Sequence, residues 1–247
     1  MKVIPDQFNA NKTYEWHSGD TESNWKKSRK EFGPDWYYYN KPIEYKFNSI
    51  GYRGPDTVFR DYFVAFGCSH TMGVGIHLED TYCHLLSTEL ELDYFNFGLG
   101  GAAQNFVWTN SIMFAKEANP LPKFVVMQWP EVERLTIHDD ERINLFLPNY
   151  HGDDDTTRAE RNLYYNLIES ETFLHNQARM YFESANLCWR ALGVPVVNFT
   201  LSIKTGELFG IECFKGWTEN RMLAARDLVH PGPIHNRQFA DYIKNNI

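Results

Sequence analysis

The stretch from Tyr62 to Gly73 constrains this chain more than any other. Phe63-Val64-Ala65-Phe66 is a short continuous apolar run, the pattern of a strand buried on both faces. Gly67-Cys68-Ser69-His70-Thr71-Met72-Gly73 breaks the run with two glycines around small and polar residues. A doubly buried strand belongs to a sheet with both faces covered. In such α/β sheets ligands gather at the carboxyl ends of the strands. Ser69 follows such an end and is placed to face a cleft.

The rest of the chain repeats this grammar. Further strands are predicted over residues 94–97, 124–128 and 194–199. Between them lie segments of helical period. Acidic Glu79 and Asp80 precede a helix to about Leu90 with Tyr82, Leu85 and Leu86 on one face. A second helix is predicted over 103–118, stopped by Pro120 and Pro122. A third, over 172–192, carries the stripe Leu174, Ala178, Tyr181, Ala185, Cys188 and Leu192, with Gly193 as its stop. The last is predicted over 235–243. Strand and helix alternate, and right-handed crossovers then give an α/β, three-layer, flavodoxin-like parallel sheet with helices on both faces.

Residues 1–54 read differently. Trp16, Trp25, Trp36 and Tyr37-Tyr38-Tyr39 stand among polar residues without a sustained period. They predict an irregular, aromatic-rich arm packed on an α/β domain over 55–247. Buried anchoring of those rings is the expectation; a platform for sugar rings is the alternative.

Composition closes off several classes. A 247-residue chain with 43% hydrophobic residues can bury a full core. A formal charge of −8 argues against a broad nucleic-acid surface. No apolar run has membrane-spanning length and the first ten residues lack a signal-peptide core, so no membrane partner and a cytoplasmic location are expected. Cys68, Cys83, Cys188 and Cys213 are widely spaced and read as free thiols. Asp139-Asp140-Glu141 and Asp153-Asp154-Asp155 read as solvated loop, with a divalent-metal site as the lesser alternative. The sevenfold spacing of His70, His77 and His84 invites a zinc reading, but the glycines between them break any common helix. Composition indicates no metal, cofactor or oligomeric state.

The chemistry lies in Ser69 and in Asp227-Leu228-Val229-His230. A serine hydroxyl needs a base to take its proton and a third group to orient that base. A three-residue spacing can set the Asp227 carboxylate against His230 Nδ1, and Pro231-Gly232 fixes the loop behind it. Oxyanion donors are available from Ser69 N–H and the Gly98-Leu99-Gly100-Gly101 segment. His235 is the rival base. Cys68 is a rival nucleophile, better read as a small buried thiol.

These blocks resemble the SGNH, or GDSL-type, hydrolase family. Gly67-Cys68-Ser69-His70-Thr71 resembles its nucleophile block, Asn96-Phe97-Gly98-Leu99-Gly100-Gly101 its oxyanion-glycine block, and Asp227-Leu228-Val229-His230-Pro231 its Asp-x-x-His block. Asn48-Ser49-Ile50-Gly51-Tyr52-Arg53-Gly54 resembles a lead-in found in many members. The resemblance spans about residues 45–130 and 190–247. It implies a serine esterase with Ser69 as nucleophile, His230 as base, Asp227 as its orienter, and Ser69 and Gly101 amides as oxyanion donors. It implies no cofactor, and a small-molecule or carbohydrate ester as substrate, such as an O-acetyl group on a sugar. The alternative is a binding or structural protein that keeps the fold without the chemistry.

Two departures stand out. Cys68 occupies the position of the family's aspartate. After the third strand, Pro130-Glu131-Val132-Glu133-Arg134 replaces the family's Gly-x-Asn-Asp. The lost asparagine would donate to the oxyanion, which ionised Glu131 and Glu133 cannot do. Gln128 or Arg134, and after them Trp129, are the expected substitutes.

Overall fold

The computed structural model describes residues 3–138, 143–146, 171–216 and 219–247. The acidic runs 139–141 and 153–155 lie outside these residues.

In chain order the arm contributes β1 (Thr13–Tyr14), α1 (Glu22–Phe32) and β2 (Tyr45–Lys46), with β1 and β2 paired antiparallel. Next come β3 (Tyr62–Gly67), α2 (Ser69–Met72), α3 (Tyr82–Leu90), β4 (Asp93–Gly98), α4 (Gln104–Glu117) and β5 (Val125–Trp129). A hairpin of β6 (Leu135–His138) and β7 (Ile143–Phe146) follows. The chain closes with α5 (Glu171–Ala191), β8 (Val196–Thr200), α6 (Ile203–Phe209), β9 (Glu212–Cys213) and α7 (Pro233–Lys244).

The main sheet has the order β4-β3-β5-β8-β9, parallel throughout. Numbered along the chain this is 2-1-3-4-5, the flavodoxin-like doubly wound order, with its switch point at β3. Each residue of β3 is buried, and its alternation divides the core. Val64 and Phe66 point into a cluster with Phe97, Phe114, Met127 and Trp189, under α4 and α5. Phe63 and Ala65 point the other way, to Tyr82, Leu86, Phe199 and Phe239, under α3 and α7. Helices therefore cover both faces.

Several elements depart from the sequence reading. The arm is not wholly irregular, because α1 forms within it. Only Ser28 of α1 is buried, so it shows no apolar period; Thr21 Oγ1 capping Asn24 N–H at 3.2 Å and the Glu22–Lys26 ion pair support it locally. On α5 the buried seam is Ala178, Ala185 and Trp189, while Leu192 is 40% exposed. The expected stripe advances by 3.6 residues on average, the period of a straight helix, but its last member, Leu192, falls just beyond the end of α5 at Ala191. Trp189, beside Cys188 of the stripe, is buried instead and donates its indole N–H to Ser111 Oγ at 2.7 Å. The residue pattern predicts none of β6, α6 and β9. These elements are short, below the length at which periodicity shows.

The arm's rings are mostly anchors. Trp36, Tyr38, Ile43, Tyr45 and Phe47 form a cluster with Met72, Val74, Ile76 and Ala225. Trp36 and Tyr38 are 2% exposed or less, which removes them from any sugar-stacking platform. Among the described residues no helix is long and apolar enough to cross a membrane.

Candidate active site

The site is built at the carboxyl ends of β3 and β4, beside the switch point of the sheet between β3 and β5. Gly67 of β3 faces Gly98 of β4 in register. The α2 backbone lies so close to Gly98 that a Cβ there would sit 2.3 Å from Met72 N. Only glycine allows this approach, so Ser69 at the first turn of α2 is set tightly against the loop beginning at Gly98. Asn96 ties the two together: its Nδ2 donates to Thr71 O at 2.8 Å, and its Oδ1 accepts from Gly98 N–H at 2.9 Å. Gly101 adopts φ +77°, a left-handed conformation suited to turning an amide toward a ligand.

The second half of the site arrives from the far end of the chain. Leu228 sits at φ +64°, which coils Asp227 to His230 into a tight turn. Asp227 Oδ1 accepts from Val229 N–H and His230 N–H, both at 3.1 Å. Asp227 Oδ2 lies 2.5 Å from His230 Nδ1. The carboxylate side chain is 1% exposed and the imidazole 15%, so the pair is shielded but still open on one side. The turn is stitched to the Ser69 side of the molecule by Arg226 N–H donating to Gly75 O at 2.8 Å. His70, next in sequence to Ser69, has its ring centroid 5.2 Å from that of His230. The Ser69 loop and the Asp227–His230 turn are thus neighbours across the cleft.

The rival groups are placed elsewhere or silenced. Burial pushes the Cys68 thiol up, away from the reactive thiolate. Burial, then the neighbouring His230 and Arg134 charges, holds His70 well below the ordinary histidine range, so it is neutral at pH 7. His235 Nδ1 is buried with no hydrogen-bond partner among the described residues, so no carboxylate orients it as a base. Among the described residues no three His, Cys, Asp or Glu side chains gather as a metal site, His70, His77 and His84 included.

The substitute donors fare unevenly. Trp129, fully buried, gives its indole N–H to Asn198 Oδ1 at 2.8 Å, which takes it out of the cleft. Gln128 meets the Ser69 loop as an acceptor: its Oε1 takes Cys68 N–H at 3.0 Å and lies 3.1 Å from Cys68 Sγ. This carboxamide organises the loop at the residue where Cys68 stands in place of an aspartate. Arg134 is near enough that its charge bears on Cys68 and His70. It is held by Glu131 at 2.6 Å, which offsets that charge. Glu133 is turned aside to Lys204 at 2.8 Å.

Sequence reasoning missed the arm's contribution. His17, Gly19 and Asp20 reach the site from a segment without any recognisable motif. A Cβ on Gly19 would lie 3.7 Å from Asp227 Oδ2 and 3.9 Å from His230 Cε1, so this backbone roofs the Asp–His pair. Asp20 is fully buried and bonds Arg226, the residue before Asp227, through both carboxylate oxygens at 2.7–2.9 Å. Only the adjacency of buried charges of opposite sign, 206 positions apart, marks this contact, and no spacing rule reveals it.

No family model matches the chain, and no curated protein matches it. Among solved structures the chain is similar to TesA, at 13% identity and TM-score 0.47 over 75% of this chain and 97% of that one. It is also similar to the psychrotrophic esterase EstA from a Pseudoalteromonas species, at 9% identity and TM-score 0.46 over 75% and 96% of the two chains. AlinE4, an SGNH-hydrolase family esterase, is matched at 14% identity and TM-score 0.41 over 77% and 96%. At such identities and scores the likeness carries no argument about chemistry, which rests on the geometry above.

Proposed function

We propose that this protein is a serine ester hydrolase. The observation that carries the reading is the buried Asp227–His230 contact, 2.5 Å between Oδ2 and Nδ1, facing the loop that bears Ser69. In the proposed reaction Ser69 Oγ attacks the ester carbonyl carbon while His230 Nε2 takes its proton. Asp227 fixes His230 with Nδ1 protonated and stabilises the imidazolium that forms. The Ser69 and Gly101 amides receive the oxyanion. Collapse of the intermediate breaks the C–O bond, and the leaving alcohol takes the proton from His230. Water then repeats the cycle on the acyl-serine, releasing the acid and restoring Ser69.

The substrate is an ester of a short acyl group, such as an acetyl group, on a simple alcohol or a carbohydrate. Burial of Trp36 and Tyr38 takes two rings out of the aromatic platform that would favour sugars, so both alcohol classes belong in the test. Hydrolysis of p-nitrophenyl acetate and of acetylated xylo-oligosaccharide is compared between wild type and Ser69→Ala. Turnover lost in the variant supports the reading. Equal, negligible rates in both proteins, with no labelling of Ser69 by a fluorophosphonate, favour a non-catalytic binding protein. Engagement of Gln128 as an acceptor on the Cys68 amide, and of Trp129 with Asn198, is the observation that keeps that second reading in view.

A further inference from the structure

The oxyanion pocket as described lacks a side-chain donor, yet one imidazole beside it has no part in the proposed reaction. His17 belongs to the arm. Its Cε1 and Nε2 lie 3.3 and 3.7 Å from where a Cβ on Gly100 would be, so the ring edge is set against the glycine loop that carries Gly101. The same Gly100 position is 3.9 Å from Met72 Sδ of α2, the helix headed by Ser69. The Gly19 backbone, two residues on, lies against the Asp227–His230 pair, so the segment that carries His17 reaches from the glycine loop to that pair.

The ring is held in place. His17 and Asp20 exchange backbone hydrogen bonds at 3.2 and 2.9 Å, and Asp20 is locked by Arg226 and by Tyr45 Oη at 2.5 Å. The Tyr45 ring packs against the imidazole at 5.6 Å between centroids. Ser18 Oγ lies 3.4 Å from His17 Nδ1. In the tautomer with its hydrogen on Nε2, the nitrogen nearer the glycine loop, the ring accepts from Ser18 at Nδ1 and can donate toward that loop. Burial, then the His230 charge, keeps the imidazole below its ordinary pKa. It is therefore a neutral donor, not a second cation competing with the imidazolium of His230.

We propose that His17 Nε2–H is the third donor of the oxyanion pocket, supplied by the arm in place of any side chain from the segment after β5. The proposal rests on the serine-hydrolase reading and makes His17 a catalytic residue, since it would touch the reacting oxygen. An interaction made only in the transition state lowers kcat and leaves KM nearly unchanged when it is lost.

Two variants separate donor from packing. His17→Phe keeps a ring of similar size and removes the donor; His17→Gln removes the ring and keeps an N–H at about the same reach. With p-nitrophenyl acetate, His17→Phe is expected to lose about 10²-fold in kcat with little change in KM, the typical effect of one missing oxyanion donor. His17→Gln is expected to retain most of the rate. A purely structural histidine gives the opposite order, Phe tolerated and Gln not, and that result overturns the proposal. So does a kcat for His17→Phe within threefold of wild type, or a rise in KM alone. If wild type itself shows no Ser69-dependent turnover and no fluorophosphonate labelling, the hydrolase reading falls and takes this proposal with it. If wild type is active and Ser69-dependent, failure of the His17 variants removes this proposal alone.

Discussion

Replacing Asp20 with alanine should destabilise the whole protein although Asp20 belongs to the arm and not to the sheet. Asp20 and Arg226 side chains are each 1% exposed. Arg226 Nε lies 2.9 Å from both Asp20 oxygens, and its Nη2 lies 2.7 Å from Oδ2. Without Asp20 the buried guanidinium keeps Glu15 O at 3.0 Å and the Trp16 ring at 4.2 Å, but no counter-charge among these contacts. The Tyr45 hydroxyl loses its 2.5 Å acceptor as well. Breaking a buried pair by removing one partner costs about 3–5 kcal/mol. For a domain of this size each kcal/mol is about 2–4 °C in Tm, so a fall of about 6–20 °C is expected. Urea unfolding and thermal scans of Asp20→Ala measure it. The double variant Asp20→Leu/Arg226→Met removes both charges and should recover much of the loss, since apolar replacement of a buried pair is often near neutral. A loss below about 1 kcal/mol, the range of an exposed pair, would refute the argument. A double variant no better than the single one would refute it too.

Asp227→Asn should leave the fold intact, because an amide fills the same space, but it removes the acceptor that holds Nδ1 protonated. The wrong histidine tautomer costs about 10⁴-fold in kcat; a loss under tenfold in p-nitrophenyl acetate turnover would deny Asp227 its role. Gly75→Val should damage both stability and activity. Gly75 sits at φ +76°, and a Cβ there would meet Ala225 Cβ at 2.8 Å and Asp227 Oδ1 at 3.1 Å. The expected cost is about 1–3 kcal/mol from backbone strain alone, read by urea unfolding, with turnover falling further than the lost folded fraction explains.

Much of this architecture was legible in the chain. The buried run of β3, a parallel sheet of β3, β4, β5 and β8 covered on both faces, and the contact of Asp227 with His230 follow from apolar runs, helical period and a three-residue spacing. Such signals are local, and they survive without any knowledge of the neighbours. Trp189 has no place in the stripe read from the sequence, yet it is the largest side chain that α5 buries. α1 was hidden because a solvated helix buries almost nothing. The fate of Gln128 and Trp129 could not be read at all. Both end the strand β5, but one accepts from the loop of Cys68 and the other donates to Asn198. Which partner a side chain takes depends on register between strands 60 or more residues apart.

The arm raises a deeper point about where the site is held. The sheet positions Ser69 and the glycine loop directly, through the register of β3 with β4. The Asp227–His230 turn has a different support. Arg53, 1% exposed, donates to Gly73 O at 2.5 Å and Ile76 O at 2.9 Å, fixing the loop after α2. Tyr45 Oη accepts from Gly75 N–H at 2.8 Å in that same loop and donates to Asp20. Asp20 holds the Arg226 side chain, while the Arg226 amide returns to Gly75 O. These contacts close a ring that starts and ends at Gly75 and passes through the arm twice. Within that ring the arm is the only segment bonded both to the loop after Ser69 and to the Arg226 side chain. A boundary near residue 54 therefore divides the chain by its patterning but not by its candidate site, because the contacts that tie the Asp227–His230 turn to the loop after Ser69 come from both sides of it.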